Sequence, residues 1–166
     1  DYFLNTDGNE LEITSKTEVQ EDISWYSLDV EDIDTYFSSN ILVHNLPPKC
    51  CFVAGTKVLM GDDSVKNIED VEVGDVVSTY DFDGQLVIEK LVLETKTPVN
   101  HNFVKVHFED GTINENVADH PYYVVGKGWS SKRPEWTKNT HDMDCEKLEV
   151  GDICLQVSQD KNIVEQ

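Results

Sequence analysis

Lysine and arginine are scarce in this chain: 13 basic residues stand against 33 acidic ones, a formal charge of −20 over 166 residues. Phosphate backbones and anionic lipid headgroups demand clustered cations, so neither nucleic acid nor membrane is expected as a partner. Long apolar runs are missing too, which leaves no transmembrane helix, signal peptide or transit peptide to read. No segment beyond about 10 residues keeps a 3.6-residue apolar period, which excludes long helices. Cysteine is limited to Cys50, Cys51, Cys145 and Cys154, with no C-x-x-C pair. Adjacent thiols make a poor zinc knuckle, and four cysteines at this length do not make a disulfide framework. The expectation is therefore no metal, no cofactor, and reduced thiols in a cytoplasmic setting.

Short β-type runs fill most of what remains. Residues 102–108, "NFVKVHF", alternate apolar and polar positions as a half-buried strand does. Asp83-Gly84 stands between two apolar runs in 75–96, a hairpin signal. Residues 121–129 and 152–158 are β-rich, and 24–30 and 35–45 read as strands joined by an acidic turn. "KNIEDV" and "CEKLEV" each suit one helical turn. Two segments read as loops: the polar, Pro-containing 130–144 and the acidic 5–22. One phrase is repeated, "IEDVEVGDVVS" at 68–78 and "CEKLEVGDICL" at 145–155. The copies lie too far apart for a solenoid and suggest two β-subdomains about a pseudo-two-fold axis.

Three positions carry candidate chemistry. Cys51 precedes an apolar strand, His120 sits in "NVADHPYYV", and His44-Asn45 close the strand "NILV". A cysteine nucleophile with a histidine proton carrier attacks carbonyls. An asparagine amide can cyclise onto its own carbonyl and cut the chain, with a neighbouring histidine assisting. Taken singly, each has an ordinary reading: Cys51 as a small buried hydrophobe, His120 as a turn residue, "HN" as a common dipeptide.

Taken together they resemble inteins and Hint domains. "CFVAGTKVLMGDDSVKNIEDVEVGDVVSTYD" (51–81) is similar to the opening block of that family, "NVADHPYYVVGKGW" (116–129) to its histidine block, and "WYSLDVEDIDTYFSSNILVHN" (25–45) to its closing strands. The closing block stands before the opening one. The resemblance thus implies an all-β Hint horseshoe with pseudo-two-fold β-subdomains and a circularly permuted chain order. Residues 1–45 would be its closing segment, 46–50 a linker in the place of the spliced flanks, and 51–166 its opening segment, the two segments forming one domain.

The resemblance implies roles residue by residue. Cys51 would turn the Cys50–Cys51 peptide bond into a thioester, His120 would protonate that amide, and Asn45 would cyclise at the Asn45–Leu46 bond with His44 assisting. The substrate would be the chain's own flanking peptide, in a single turnover. Four positions depart from the pattern: Val117 where a threonine is usual, Ser27 for aspartate, Asp34 for histidine, and Leu46, which has no side-chain nucleophile. Asp119 or Asp34 would have to compensate. The alternatives are an inactive Hint module serving interaction, and halves of two Hint domains joined by strand exchange. A monomer is expected, with a domain-swapped dimer as the other arrangement. Residues 1–45 carry one basic and eleven acidic residues, so separate halves of like charge would repel.

Overall fold

The computed structural model describes residues 10–44, 52–97 and 99–157. Within them the chain forms β1 (Glu10–Val30), β2 (Thr35–Ser38), β3 (Ile41–His44), β4 (Phe52–Val53), β5 (Lys57–Leu59) and β6 (Val65–Asn67). A 3-10 turn at Ile68–Asp70 leads to β7 (Val76–Asp81), β8 (Leu86–Lys96), β9 (Val99–Phe108) and β10 (Ile113–Val117). Then come β11 (Tyr122–Val124), β12 (Gly128–Ser131), the helix α1 (Pro134–His141), β13 (Glu146–Lys147) and β14 (Ile153–Leu155). The protein is all-β, as its alternating runs predict, and the Asp83-Gly84 hairpin lies where expected, between β7 and β8.

Strand β1 is the spine. It pairs antiparallel with β14 at Glu10–Glu12, with β9 from Ile13 to Ser24, with β4 at Trp25 and Tyr26, and with β8 from Ser27 to Val30. The sheet path runs β4-β10-β9-β1-β14-β11-β3-β2-β5-β6, with the β7–β8 hairpin joined through β8 to β1. Residues 10–22 were expected to be loop. Ile13 is buried at 0% exposure while Thr14, Ser15, Thr17 and Glu18 face solvent, so the segment shows no alternation of apolar and polar letters. Pairing with β9, nearly a hundred residues away, is what makes this segment a strand, and bulges after Ile13 and Gln20 let so long a strand bend.

The core gathers from both sides of β1. Trp25 is fully buried and meets Phe103 edge-on at 5.3 Å, with Val117 in the same cluster. Tyr36 meets Phe52 at 6.2 Å, and Ile41, Val43, Val104 and Tyr122 pack in the main cluster. Full burial of such side chains stabilises the fold by about 1.5–3 kcal/mol each.

The loop expected at 130–144 holds α1. Pro134 opens it, where a missing N–H costs nothing, and Asp142 ends it in the left-handed region at φ 53°. Thr137 alone is buried in the helix, through hydroxyl bonds rather than an apolar stripe, so no 3.6-residue period exists to read. The turn expected in "CEKLEV" is instead the short strand β13, parallel to β12.

The repeated phrase is one turn built twice. Gly74 and Gly151 adopt φ 91° and 92°, a conformation glycine takes without strain. Asp75 Oδ2 accepts from Glu72 N–H at 2.9 Å, and Asp152 Oδ2 from Glu149 N–H at 2.7 Å. A lysine clamps each carboxylate, Lys66 at 2.7 Å and Lys127 at 2.9 Å. Each glycine N–H then donates to a neighbouring strand, Gly74 to Val92 O and Gly151 to Ile13 O, both at 2.9 Å.

Candidate interaction cleft

The tight turn after β10 places His120. Its N–H donates back to Val117 O at 3.1 Å, and its ring meets Phe52 edge-on at 4.4 Å and Tyr122 at 6.0 Å. The residue is 1% exposed, and neither ring nitrogen has a hydrogen-bond partner among the described residues. Burial, reinforced by His44 and His141, holds its pKa well below the usual imidazole value, so the ring is neutral at pH 7.

His44 ends β3 opposite Thr35, donates its N–H to Pro121 O at 3.2 Å and sets its ring edge-on to Trp129 at 5.0 Å. Asp34 sits in the turn before β2 at φ 52°; burial raises its carboxyl pKa, His44 opposes the rise, and Asp29 adds to it. Asp119 turns its carboxylate to His141, with Nε2 to Oδ2 at 3.3 Å. Its carbonyl accepts from Thr137 Oγ1 at 2.9 Å. Val117 and Ser27 are buried in the packed interior. The fold therefore gathers His44, His120 and Asp119, and adds His141 from α1. No signal in "KNTHDMD" could have found His141, because only the docking of α1 brings it there. Cys50, Cys51, Asn45 and Leu46 lie outside the described residues, as does the whole 46–50 linker. Among the described residues no group of three or more His, Cys, Asp or Glu could hold a metal ion.

A second feature is concave and open. Strand β4 is only two residues long and turns away at Gly55, whose φ of 84° and open surroundings leave a gap beside β10. A cleft of about 520 Å³ follows, lined by Ser39, Asn40, Val53, Thr56, Ile113 and Glu115 among others. Ser39 and Asn40 reach it through the β2–β3 turn, where both adopt positive φ as a tight hairpin requires. Two aliphatic side chains line it while facing solvent, Ile113 at 48% and Val65 at 53% exposure.

The cleft's cations are engaged. Lys57 Nζ bonds Asn67 at 2.5 Å, and Lys105, beside the cleft, pairs with Glu115 at 2.8 Å. Carboxylates stand on its rim: Glu69 accepts from Gly55 N–H at 2.7 Å and Asp110 from Thr112 N–H at 2.8 Å. Nothing in the sequence reading pointed to this cleft. Its walls come from the β2–β3, β4–β5 and β9–β10 turns and from strands β5, β6 and β10, and exposed aliphatics are common singly.

Known proteins now bear on the chain. The family described as "Ataxin-1 and HBP1 module (AXH)" matches residues 52–159. Human Ataxin-1-like is 30% identical over 113 residues, covering 64% of this chain and 16% of that protein. Human Ataxin-1 is 29% identical over 119 residues, with 68% and 14% covered. Human HMG box-containing protein 1 is 29% identical over 126 residues, with 63% and 24% covered. The chain thus spans only a small part of these relatives. Crystallised human HMG box-containing protein 1 aligns with TM-score 0.35 at 22% identity, over 71% of this chain and 99% of that one. The AXH domain of the mouse transcription factor HBP1 aligns with TM-score 0.33 at 20% identity, over 69% and 95%.

The family match overturns the Hint resemblance. With it go self-cleavage through Cys51 and Asn45, the thioester, the horseshoe, the permuted order and the flanking peptide as substrate, all of which rested on that resemblance. The blocks that carried it meet local needs of a β fold. Phe52 packs on Tyr36 and His120, Thr56 N–H closes a turn onto Val53 O, and "ADHP" links β10 to β11. Similar short blocks therefore arise wherever a strand start and a tight turn must be built, whatever chemistry the fold carries. The match spans 52–159, well over half of the sequence, and the chain belongs to the AXH family.

Proposed function

We propose that this chain is a protein-binding module, with the cleft between β10 and the β4–β6 turns as its binding surface. The observation that carries the reading is that Ile113 and Val65, both exposed aliphatics, line one concavity. A concave site that sets aliphatic side chains among polar ones, here Ser39, Asn40, Thr56 and Glu115, suits a peptide with both kinds of side chain. The net charge of −20 opposes an RNA or DNA ligand and favours a cationic protein segment.

Residues 10–44 and 52–157 act as one unit in this reading, because β1 lends its edges to β4, β8, β9 and β14. The unit works as a monomer, since two copies of this charge repel. One relative by sequence is named for an HMG box, a DNA-binding element, which favours the nucleus over the cytoplasm as the compartment. Among the described residues no helix is long and apolar enough to cross a membrane.

Selection of a random peptide display library on the folded chain tests the reading, with the Ile113→Asp, Val65→Asp double variant as the counter-target. Peptides enriched on the parent and lost on the variant are expected. No enrichment, or equal enrichment on both, would refute it, provided the variant melts like the parent.

A further inference from the structure

We propose, resting on the binding reading above, that the cleft takes its partner as an added β-strand: a short extended segment of another protein, basic at alternate positions, laid along the outer edge of β10. Phe108 N–H bonds Thr112 O, so the backbone groups of Thr112, Asn114 and Asn116 turn towards β9. Antiparallel alternation then turns those of Ile113 and Glu115 to the opposite edge. Strand β4 meets that edge only at Asn116. Past it β4 ends at Val53 and swings away through Gly55, so the Ile113 end of the edge has no strand partner among the described residues. A row of sheet is thus begun by β4 and left unfinished beside the cleft.

An incoming strand would continue the row of β4. Its backbone would bond Ile113 N–H and C=O, and its alternate side chains would fall on two different surroundings. One set would meet Ile113 and Val65 in the cleft. The other would meet the rim, where the carboxylates of Glu69 and Asp110 outnumber the one ammonium of Lys57, while Lys105 and Glu115 neutralise one another. Apolar residues alternating with arginine or lysine satisfy both. Exposed edges are usually blunted by a charged side chain, most often lysine, or by proline on the strand itself. β10 has neither lysine nor proline, and its one charge, Glu115, is paired with Lys105.

The test is isothermal titration of the whole chain with a capped eight-residue peptide alternating valine and arginine. Its companions are the same peptide N-methylated on either set of alternate amides, and one alternating valine and glutamate. Binding by the plain peptide is expected, with at least a tenfold loss on N-methylation of one set but not the other, and no binding by the glutamate peptide. Ile113→Pro removes the outward N–H without touching the bonds to β9 and should weaken binding at least tenfold, whereas Ile113→Leu should not. Melting curves establish that both variants fold.

N-methylated peptides that all bind as well as the plain one would reject strand addition while leaving a docking cleft. Binding unchanged by Ile113→Pro and by Val65→Asp would remove the peptide from the cleft altogether. A glutamate peptide that binds equally would reject the charge preference. Displacement of the peptide by a single-stranded RNA oligonucleotide would assign the site to nucleic acid. Self-association abolished by Ile113→Pro would assign the edge to a second copy of this chain.

Discussion

Replacing His120 by leucine should make the protein less sensitive to acid, and by a calculable amount. The imidazole is buried beside Phe52 and Tyr122, and burial first, then the nearness of His44 and His141, holds its pKa well below 6.5 in the folded chain. In the unfolded chain it returns to about 6.5. A depressed histidine means the unfolded state binds the proton first. Its contribution to stability is therefore complete above the unfolded pKa and is lost as pH falls below it. Between pH 7 and 5.5 the loss amounts to about 1.3 kcal/mol if the folded ring stays neutral. For a chain of this size that is a fall of about 3–5 °C in melting temperature.

His120→Leu should remove this slope. Because neither ring nitrogen has a partner among the described residues, no hydrogen bond within them is lost, and the change at pH 7 should stay below about 1.5 kcal/mol. Asp34 acts with the opposite sign, since its raised carboxyl pKa favours folding in acid and that stability is lost as pH rises through the folded value. It is present in both proteins and cancels in the difference to first order. Urea denaturation of both chains at pH 7, 6.5, 6 and 5.5 gives the comparison. Parallel curves would refute the reasoning, and a parent that gains stability on acidification relative to the variant would show that His120 is charged in the fold.

Gly61→Ala should cost about 1–3 kcal/mol, because the new Cβ would lie 2.7 Å from Val76 Cγ1 and 3.2 Å from Glu89; a change below half a kcal/mol in denaturant melts would show that the β7–β8 hairpin yields freely. Asp75→Ala and Asp152→Ala should each cost about 1–2 kcal/mol, matched to one another, since each breaks the same backbone bond and lysine clamp; unequal losses in thermal melts would mean the two turns differ in weight. Of the described thiols, Cys145 is pushed up to about 11 by partial burial and the nearby Asp144, and Cys154 further by full burial. Iodoacetamide at pH 8, read by peptide mass, should label Cys145 slowly and Cys154 only after denaturant is added; rapid labelling of Cys154 in the native protein would place it at the surface.

How much could be read in advance follows from the range of the forces involved. The all-β class, the Asp83-Gly84 hairpin and the twin Val-Gly-Asp turns were legible, because alternation, glycine conformation and carboxylate-to-backbone bonds act within a few residues. The charge of −20 needed no fold at all. The strand at 10–22 was not legible: its apolar and polar letters do not alternate, and its strand state depends on β9 lying alongside. The helix at Pro134–His141 was hidden because hydroxyl bonds from Thr137, not an apolar stripe, hold it down. The site residues divide the same way. His44, His120 and Asp119 stood out as chemistry-bearing letters, but their setting, with a neutral buried imidazole against Phe52 and a carboxylate turned to His141, required strands and a helix from separate parts of the chain to meet. The cleft belongs wholly to the tertiary structure, because Ile113 and Val65 are unremarkable letters until the fold brings strands β10 and β6 to one concavity. Local geometry is written within a few residues of sequence, whereas juxtaposition depends on long-range pairing that no short stretch encodes alone.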